Sequence, residues 1–130
     1  MDGQTPTDLL LRDEVFRIQG AVFAVSNTIG YGFLEAVYQE CLGIEFARRD
    51  VPFKAMPKLA LMYGDVPLRQ TYAPDFICFD AVIVELKVAR SILPEHRAQV
   101  LNYLKASGLK VGVLVNFGAG PKVQIERFAL

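Results

Sequence analysis

The apolar run at positions 81–88, AVIVELKV, constrains the fold more than any other part of this chain because two charges interrupt it. So many β-branched residues predict a strand, and a strand that packs between helices is usually apolar on both faces. In that strand Glu85 and Lys87 point to the same face as Ile83. Burying both charges costs free energy unless a partner compensates them. The run therefore predicts either a partner that compensates the charges of this pair or a strand with one solvent-exposed face.

Two explanations for the charged pair are open at the level of the sequence. In the first, the strand lies at the edge of a sheet or has a solvated face, so that Glu85 and Lys87 are hydrated or paired with each other. In the second, Glu85 is a metal ligand at the mouth of the sheet, and Lys87 lies next to it to stabilise a reacting anion.

Asp75, which follows Pro74, lies ten residues before Glu85 and favours the second explanation. A tight turn near Asp80 folds the two flanking strands back on one another and brings the two carboxylates together. Two oxygen donors from neighbouring strands suit a hard divalent cation such as Mg²⁺ or Mn²⁺, with positions left for waters and a phosphate. The spacing therefore predicts a cation site between these strands.

The chain is predicted to be a single α/β domain over residues 1–130, with residues 1–6 flexible. Apolar positions at helical spacing begin at Leu9, with Thr7 as the N-cap, and continue to the IGYG joint. A second helix is predicted over residues 33–49. Both helices precede the first extended segment, so the pattern predicts two helices before any strand.

The rest of the chain predicts a mixed β-sheet of about five strands flanked by helices, in the order ααβββαββ. An antiparallel meander is expected from three extended segments, residues 51–63, 66–79 and 81–89. A helix over residues 91–107, with Pro94 in its first turn, separates the meander from two further strands. Those two strands are expected at residues 110–117 and 121–130.

Two sets of polar residues outside the strands are candidates for a site. His96, Gln99 and Tyr103 occupy positions i, i+3 and i+7 of the third predicted helix and form one polar stripe. The stripe is either an ordinary solvated face with a half-buried tyrosine or a surface that contacts a substrate backbone. Glu35, in the first turn of the second helix, either complements the helix dipole or supplies a third carboxylate.

Charge and composition narrow the classes of function. Fourteen Lys and Arg balance fourteen Asp and Glu, so no broad basic surface attracts nucleic acid, and such a role requires a local site. The single histidine, His96, excludes histidine-rich metal sites, and the absent Ser-His-acid pattern disfavours a triad hydrolase. An acidic N-terminus and the lack of an apolar run of about 20 residues predict neither a secretory signal nor a membrane span. Cys41 and Cys78 predict reduced thiols in the cytoplasm.

Five short motifs occur in one order along the chain: GFLEAVY at 32–38, YAPDFI at 72–77, VIVELK at 82–87, AQVLNYLK at 98–105 and VLVNFG at 113–118. In this order they resemble the GxxExxY protein family, which is assigned to the PD-(D/E)xK nuclease superfamily. Gln99 and Tyr103 also resemble the Q-x-x-x-Y motif of the RecB-like exonuclease branch. The resemblance covers nearly the whole chain and implies a restriction-endonuclease-like core.

The resemblance also implies a role for each matched residue. Asp75, Glu85 and the carbonyl of Leu86 would hold Mg²⁺ or Mn²⁺, and Glu35 would add a ligand directly or through water. Lys87 would position or activate the attacking water. The candidates for contacting the nucleic-acid backbone or bracing the site are Gln99, Tyr103, His96 and Tyr38.

Two functions follow as expectations. The first is a divalent-metal-dependent nuclease that hydrolyses phosphodiester bonds, with DNA favoured; the small size and neutral charge make a homo-oligomer plausible. The second is a non-catalytic nuclease-fold module that binds nucleic acid or a protein partner. The combination of Glu35, Asp75, Glu85 and Lys87 favours the enzyme, because a scaffold does not require four converging charged groups.

Overall fold

The computed structural model describes residues 10–130, so residues 1–6, expected to be flexible, the Thr7 cap and Leu9 lie outside the described part. Two helices come first, as predicted, followed by strands on both sides of a third helix. In chain order the elements are α1 (Arg12–Ile29), α2 (Glu35–Arg48), β1 (Phe53–Ala55), β2 (Leu59–Tyr63), β3 (Val66–Tyr72), β4 (Phe76–Cys78), β5 (Val82–Lys87), α3 (Pro94–Ser107), β6 (Val111–Asn116) and β7 (Gln124–Ala129). None of the helices in residues 10–130 is long and apolar enough to cross a membrane.

Helix α2 begins two residues later than the apolar pattern predicts. Leu34 has an extended backbone, with φ −71° and ψ 155°, and acts as the N-cap residue of the helix. Phe33 and Leu34 therefore lie outside the helix, and both are exposed. The buried residues of α2 are Tyr38, Leu42 and Phe46, which recur at intervals of four and form one narrow face.

Five strands form the predicted mixed sheet in the order β1-β4-β5-β6-β7. β5 and β6 run parallel, with Val82 opposite Val111 and Lys87 opposite Asn116, while the other neighbours are antiparallel. The strand that carries Glu85 is thus the central strand of the sheet. The edge-strand explanation for its charges is therefore wrong.

The middle of the chain differs from the predicted meander in one respect. Each of the two extended segments before β5 is divided in two, so β1 and β4 join the sheet while β2 and β3 form a separate antiparallel hairpin. Pro57 and Pro74 lie at the two divisions. Because proline has no N–H group to donate to a ladder, it interrupts strand pairing at both places.

Both faces of β5 are covered, as the alternation of its residues predicts. The face with Val82, Val84 and Leu86 packs in a cluster with α1 and α2. The opposite face, with Ile83, packs in a second cluster with side chains of α3 and β6. Glu85 shares this second face and is only 5% exposed. The sheet therefore carries a buried carboxylate between its central strand and α3.

Candidate active site

A tight turn joins β4 to β5 and brings Asp75 next to Glu85. Phe79 and Asp80 occupy the turn with φ values of 57° and 52°, the positive pair that a type I′ hairpin turn requires. The backbone N–H of Asp75 donates to Oε1 of Glu85 at 3.0 Å. In return, the N–H of Leu86 donates to Oδ2 of Asp75 at 2.8 Å. Each carboxylate is therefore held by a backbone N–H from the segment that carries the other acid.

Burial makes this pair of acids electrostatically unfavourable. Desolvation raises the pKa of Glu85, and the charge of Asp75 raises it further. Desolvation also raises the pKa of Asp75, although the hydrogen bond from Leu86 opposes that change. Like charges in a dry site favour protonation unless a cation compensates them. Negative charge is thus in excess at this end of the sheet.

Lys87 is the nearest positive group to the pair. Its Nζ lies 3.9 Å from Oε2 of Glu85, and about a fifth of its side chain is exposed. The two residues point to one face because they are two apart in a strand. Lys87 also lines a groove of about 450 Å³ along α3, which it shares with His96, Gln99 and Tyr103. One ammonium group thus lies between the buried acids and the solvent.

Glu35 approaches the same place from the first turn of α2. Desolvation and the charge of Asp75 raise its pKa, whereas Lys87, His96 and a hydrogen bond from the backbone of Val88 lower it. Within residues 10–130, however, no three His, Cys, Asp or Glu side chains form a group that could hold a metal ion. The structure therefore brings Asp75 and Glu85 together and leaves Glu35 within electrostatic range of them.

Tyr38 lies behind this site and is fully buried. Its hydroxyl donates to the carbonyl of Gly30 at 2.7 Å and accepts from the N–H of Phe33 at 3.4 Å. Its ring stacks on Phe117 at 4.4 Å. Of the two roles expected for Tyr38, this position fits bracing, because the side chain fixes the loop before Glu35 and has no open face for a substrate.

The polar stripe of α3 lines the groove. Nδ1 of His96 accepts the N–H of Leu93 at 3.0 Å, so in the neutral ring the proton is on Nε2. Nε2 of Gln99 donates to the hydroxyl of Tyr103 at 3.0 Å. Tyr103 also stacks on Tyr72, with ring centroids 5.0 Å apart. The stripe is therefore half-buried and held in place by internal contacts.

Asn116 is a buried polar residue whose importance the sequence analysis missed. Its Oδ1 accepts the N–H groups of Ala89 and Gly118, each at 2.9 Å, and its Nδ2 donates to the carbonyl of Ala89. A Cβ on Gly118 would lie 2.5 Å from the backbone nitrogen of Ala89, so glycine permits this approach. In the sequence, an asparagine at the end of an otherwise apolar strand could have indicated this residue. Asn116 fixes the chain that leaves β5 after Lys87.

These residues fit a divalent cation by their chemistry. Asp75 and Glu85 supply oxygen donors at one place, and desolvation raises the pKa values of both acids and of Glu35, so a bound cation would favour their ionised forms. Mg²⁺ is typically held by one or two carboxylates and keeps several waters, so a closed cage of three acids is not required. The donor set therefore suits a hard cation that also binds a phosphate.

Comparison with known proteins agrees with the fold. No curated protein matches the sequence. Among solved structures, the crystal structure of SSO0001 is similar to this chain, with a TM-score of 0.58, 17% sequence identity and 95% of this chain covered. The chain spans 65% of that protein's length, and at this identity the likeness shows the fold alone. The family model of the PD-(D/E)XK nuclease superfamily matches residues 12–128. Proteins of this superfamily generally use divalent metals, and this chain belongs to the PD-(D/E)XK nuclease superfamily.

Proposed function

We propose that this chain is a divalent-metal-dependent nuclease that hydrolyses phosphodiester bonds, with DNA as the favoured substrate. The observation that carries the proposal is the hydrogen-bonded pair of Asp75 and Glu85 with Lys87 beside it. If ionised, Glu85, which is buried on the central strand, and the partly buried Asp75 just before β4 would destabilise the fold without a cation to compensate them. Membership of a nuclease superfamily supports the same conclusion.

In the proposed site, Asp75, Glu85 and the main-chain carbonyl of Leu86 would hold Mg²⁺ or Mn²⁺, and Glu35 would add a ligand directly or through a water. When bound, the cation lowers the pKa of a coordinated water and neutralises charge on the phosphoryl oxygens. Lys87 donates a hydrogen bond to the attacking water and stabilises the anion that develops at phosphorus. No histidine base is required by this arrangement.

The groove along α3 supports a role in holding the substrate backbone. Nε2 of His96 carries a proton, and Gln99 retains one further amide N–H after its bond to Tyr103. Both groups can donate to phosphate oxygens that flank the scissile bond. Tyr103 and Tyr38 orient the neighbouring groups. We therefore propose that His96 and Gln99 contact the substrate and that the two tyrosines brace the site.

The order of the motifs supports a finer assignment. We propose that the chain belongs to the GxxExxY family and to the RecB-like exonuclease branch, because Glu35 and Tyr38 flank the site and Gln99 bonds Tyr103. We also propose that it functions in the cytoplasm, where its free thiols stay reduced.

The neutral charge of the chain supports self-association. A nuclease that grips long duplex DNA alone usually presents a basic track, which fourteen acids and fourteen bases do not provide. Among the strands of residues 10–130, β7 is at one end of the five-stranded sheet, and an edge strand can pair with a second copy. We therefore propose a homo-oligomer. Light scattering at high protein concentration tests it, and a strict monomer would contradict it.

A cleavage assay tests the proposed activity. Labelled single-stranded and double-stranded DNA and RNA are incubated with wild type, Lys87→Ala and Lys110→Ala in Mg²⁺ or Mn²⁺. Lys110 is an exposed lysine just before β6, at the opposite end of the sheet from Lys87, and serves as the matched control. We expect metal-dependent cleavage by wild type and Lys110→Ala that Lys87→Ala has lost. Binding without cleavage in wild type would instead favour the non-catalytic module.

A further inference from the structure

Exposed apolar side chains lie on the two connections that reach Glu35 of the candidate site. On the loop between α1 and α2, Tyr31 is 56%, Phe33 46% and Leu34 78% exposed. On the connection between β5 and α3, Val88 and Leu93 are also exposed. These five residues are called the apolar rim. Large apolar side chains in water need a partner when they are clustered beside a site.

The two halves of the apolar rim meet at Glu35. Leu34 directly precedes Glu35, and the backbone of Val88 hydrogen-bonds its carboxylate. His96, which bonds the backbone N–H of Leu93, is close enough to lower the pKa of Glu35. The apolar rim is therefore continuous with the carboxylates and not a separate patch elsewhere on the surface.

The loop that carries the aromatic side chains is held in one conformation. The hydroxyl of Tyr38 bonds the backbone of Gly30 and of Phe33, on either side of Tyr31. The ring of Phe33 also packs edge-on against Tyr38, with centroids 6.1 Å apart and an angle of 77°. A loop that is ordered beforehand loses little conformational entropy when a ligand covers its aromatic side chains.

The site thus has two unlike neighbours. The groove of α3 offers the hydrogen-bond donors Lys87, His96 and Gln99. The loop that leads into Glu35 carries the exposed aromatic residues Tyr31 and Phe33. In a duplex the faces of the bases are covered by stacking, and binding rests largely on contacts from cations to phosphates, whereas the cations of this chain are balanced by an equal number of acids. A single strand presents phosphates on one side and open base faces on the other.

We propose that the apolar rim stacks on unpaired bases, so that the substrate of this site is a single-stranded segment of nucleic acid. This inference rests on the proposed nuclease function. The phosphate backbone lies along the α3 groove, and the bases next to the scissile phosphate lie on Tyr31 and Phe33. Stacking on aromatic side chains tolerates any base, because each base has a π face.

Anisotropy titrations with labelled oligonucleotides test the inference. The protein carries Lys87→Ala, so that strands stay intact in Mg²⁺, and it is compared with versions that add Tyr31→Leu, Phe33→Leu, Tyr31→Phe or Phe16→Ala. Leucine keeps apolar area without a ring, and phenylalanine keeps the ring. Phe16 is 74% exposed on α1 and is the matched control. It precedes Arg17, which lies over Phe79 at the turn before β5, far along the sheet from Lys87.

The ligands are a single strand, the same length of abasic strand and a blunt duplex. We expect the single strand to bind more tightly than the duplex. Tyr31→Leu should weaken single-strand binding by about 5- to 150-fold, the usual value of one stacked base, while Tyr31→Phe and Phe16→Ala leave it unchanged. The abasic strand should bind weakly and equally to all versions.

Other results overturn the inference. Unchanged single-strand binding by Tyr31→Leu and by Phe33→Leu, or tighter binding of the duplex, would show that the apolar rim does not stack on bases. A change of oligomeric state in these variants without a change in binding would make the rim a protein interface. Parallel cleavage assays with Lys87 intact separate the two proposals. Cleavage that the rim substitutions do not change would refute the stacking inference and leave the proposed nuclease activity supported. Binding that depends on the apolar rim without any cleavage would refute only the proposed nuclease activity.

Discussion

Replacing Glu85 by glutamine should stabilise the metal-free protein at neutral pH. The substitution keeps the size of the side chain and an oxygen that can accept the N–H of Asp75. It removes the free-energy cost of protonating, on folding at neutral pH, a carboxyl that burial and the charge of Asp75 keep neutral between the central strand and α3. In the proposed function the acid is retained because it would ionise to bind a divalent cation.

The magnitude follows from the pKa of Glu85. Burial and Asp75 raise that pKa from its ordinary value of 4.5 to about 8 in the folded protein. An acid whose folded pKa is raised contributes most stability below its unfolded pKa, and the contribution is lost as pH rises from about 4.5 to about 8. At 1.36 kcal/mol per pH unit, the loss by pH 7 reaches roughly 3 kcal/mol at most. Asp75 shares the proton with Glu85, and Lys87 lies nearby, so both reduce the cost of ionisation. We therefore expect Glu85→Gln to raise the free energy of unfolding at pH 7 by about 1 to 3 kcal/mol.

Thermal unfolding of wild type and Glu85→Gln in EDTA, from pH 5 to pH 8, measures this effect. The midpoint of wild type should fall across the range, and at pH 7 Glu85→Gln should be higher by about 3 to 10 °C for a domain of this size. Added Mg²⁺ should raise the midpoint of wild type and leave that of Glu85→Gln unchanged. A less stable Glu85→Gln at pH 7 in EDTA, or an equal response of both proteins to Mg²⁺, would refute the reasoning.

The remaining predictions concern Lys87, Tyr38 and the thiol of Cys78. Lys87→Ala should lower the single-turnover cleavage rate by about 100-fold or more while its unfolding midpoint stays close to that of Lys110→Ala; equal cleavage rates would contradict this. Tyr38→Phe removes the hydrogen bond from the buried hydroxyl to the Gly30 carbonyl and should lower the free energy of unfolding by about 0.5 to 1.5 kcal/mol in urea titrations. Burial raises the pKa of Cys78 to about 12, so a thiol reagent at pH 8 should label Cys78 only in unfolded protein; mass spectrometry showing native labelling would count against the fold.

Much of the sheet could be predicted from local patterns. The buried run of β6 and the alternation in β5 identify strands directly, because their side chains report burial on each face. The hairpin of β2 and β3 could not be assigned in this way. Its residues are extended in either arrangement, and which sheet they join depends on contacts distant in the chain.

The site was harder to predict where its residues are far apart in the chain, because sequence spacing then does not determine the distance between their side chains. Asp75 and Glu85 are joined by a short hairpin, so the sequence alone brings their carboxylates together. Glu35 comes from a separate helix, and its separation from the pair depends on how α2 packs on the sheet. Phe33 has the apolar character of a helix residue but lies in the exposed loop. Exposure next to a site is a tertiary property that apolar periodicity does not report.

Calorimetric titration of Mg²⁺ into the metal-free protein tests the central claim most directly, which is that the Asp75 and Glu85 pair binds a divalent cation. Wild type is compared with Asp75→Asn and with Asp65→Asn, which removes an exposed acid at the hairpin turn. The account predicts saturable heat in wild type and Asp65→Asn and none in Asp75→Asn. No heat in wild type, or the same heat in Asp75→Asn, would contradict it.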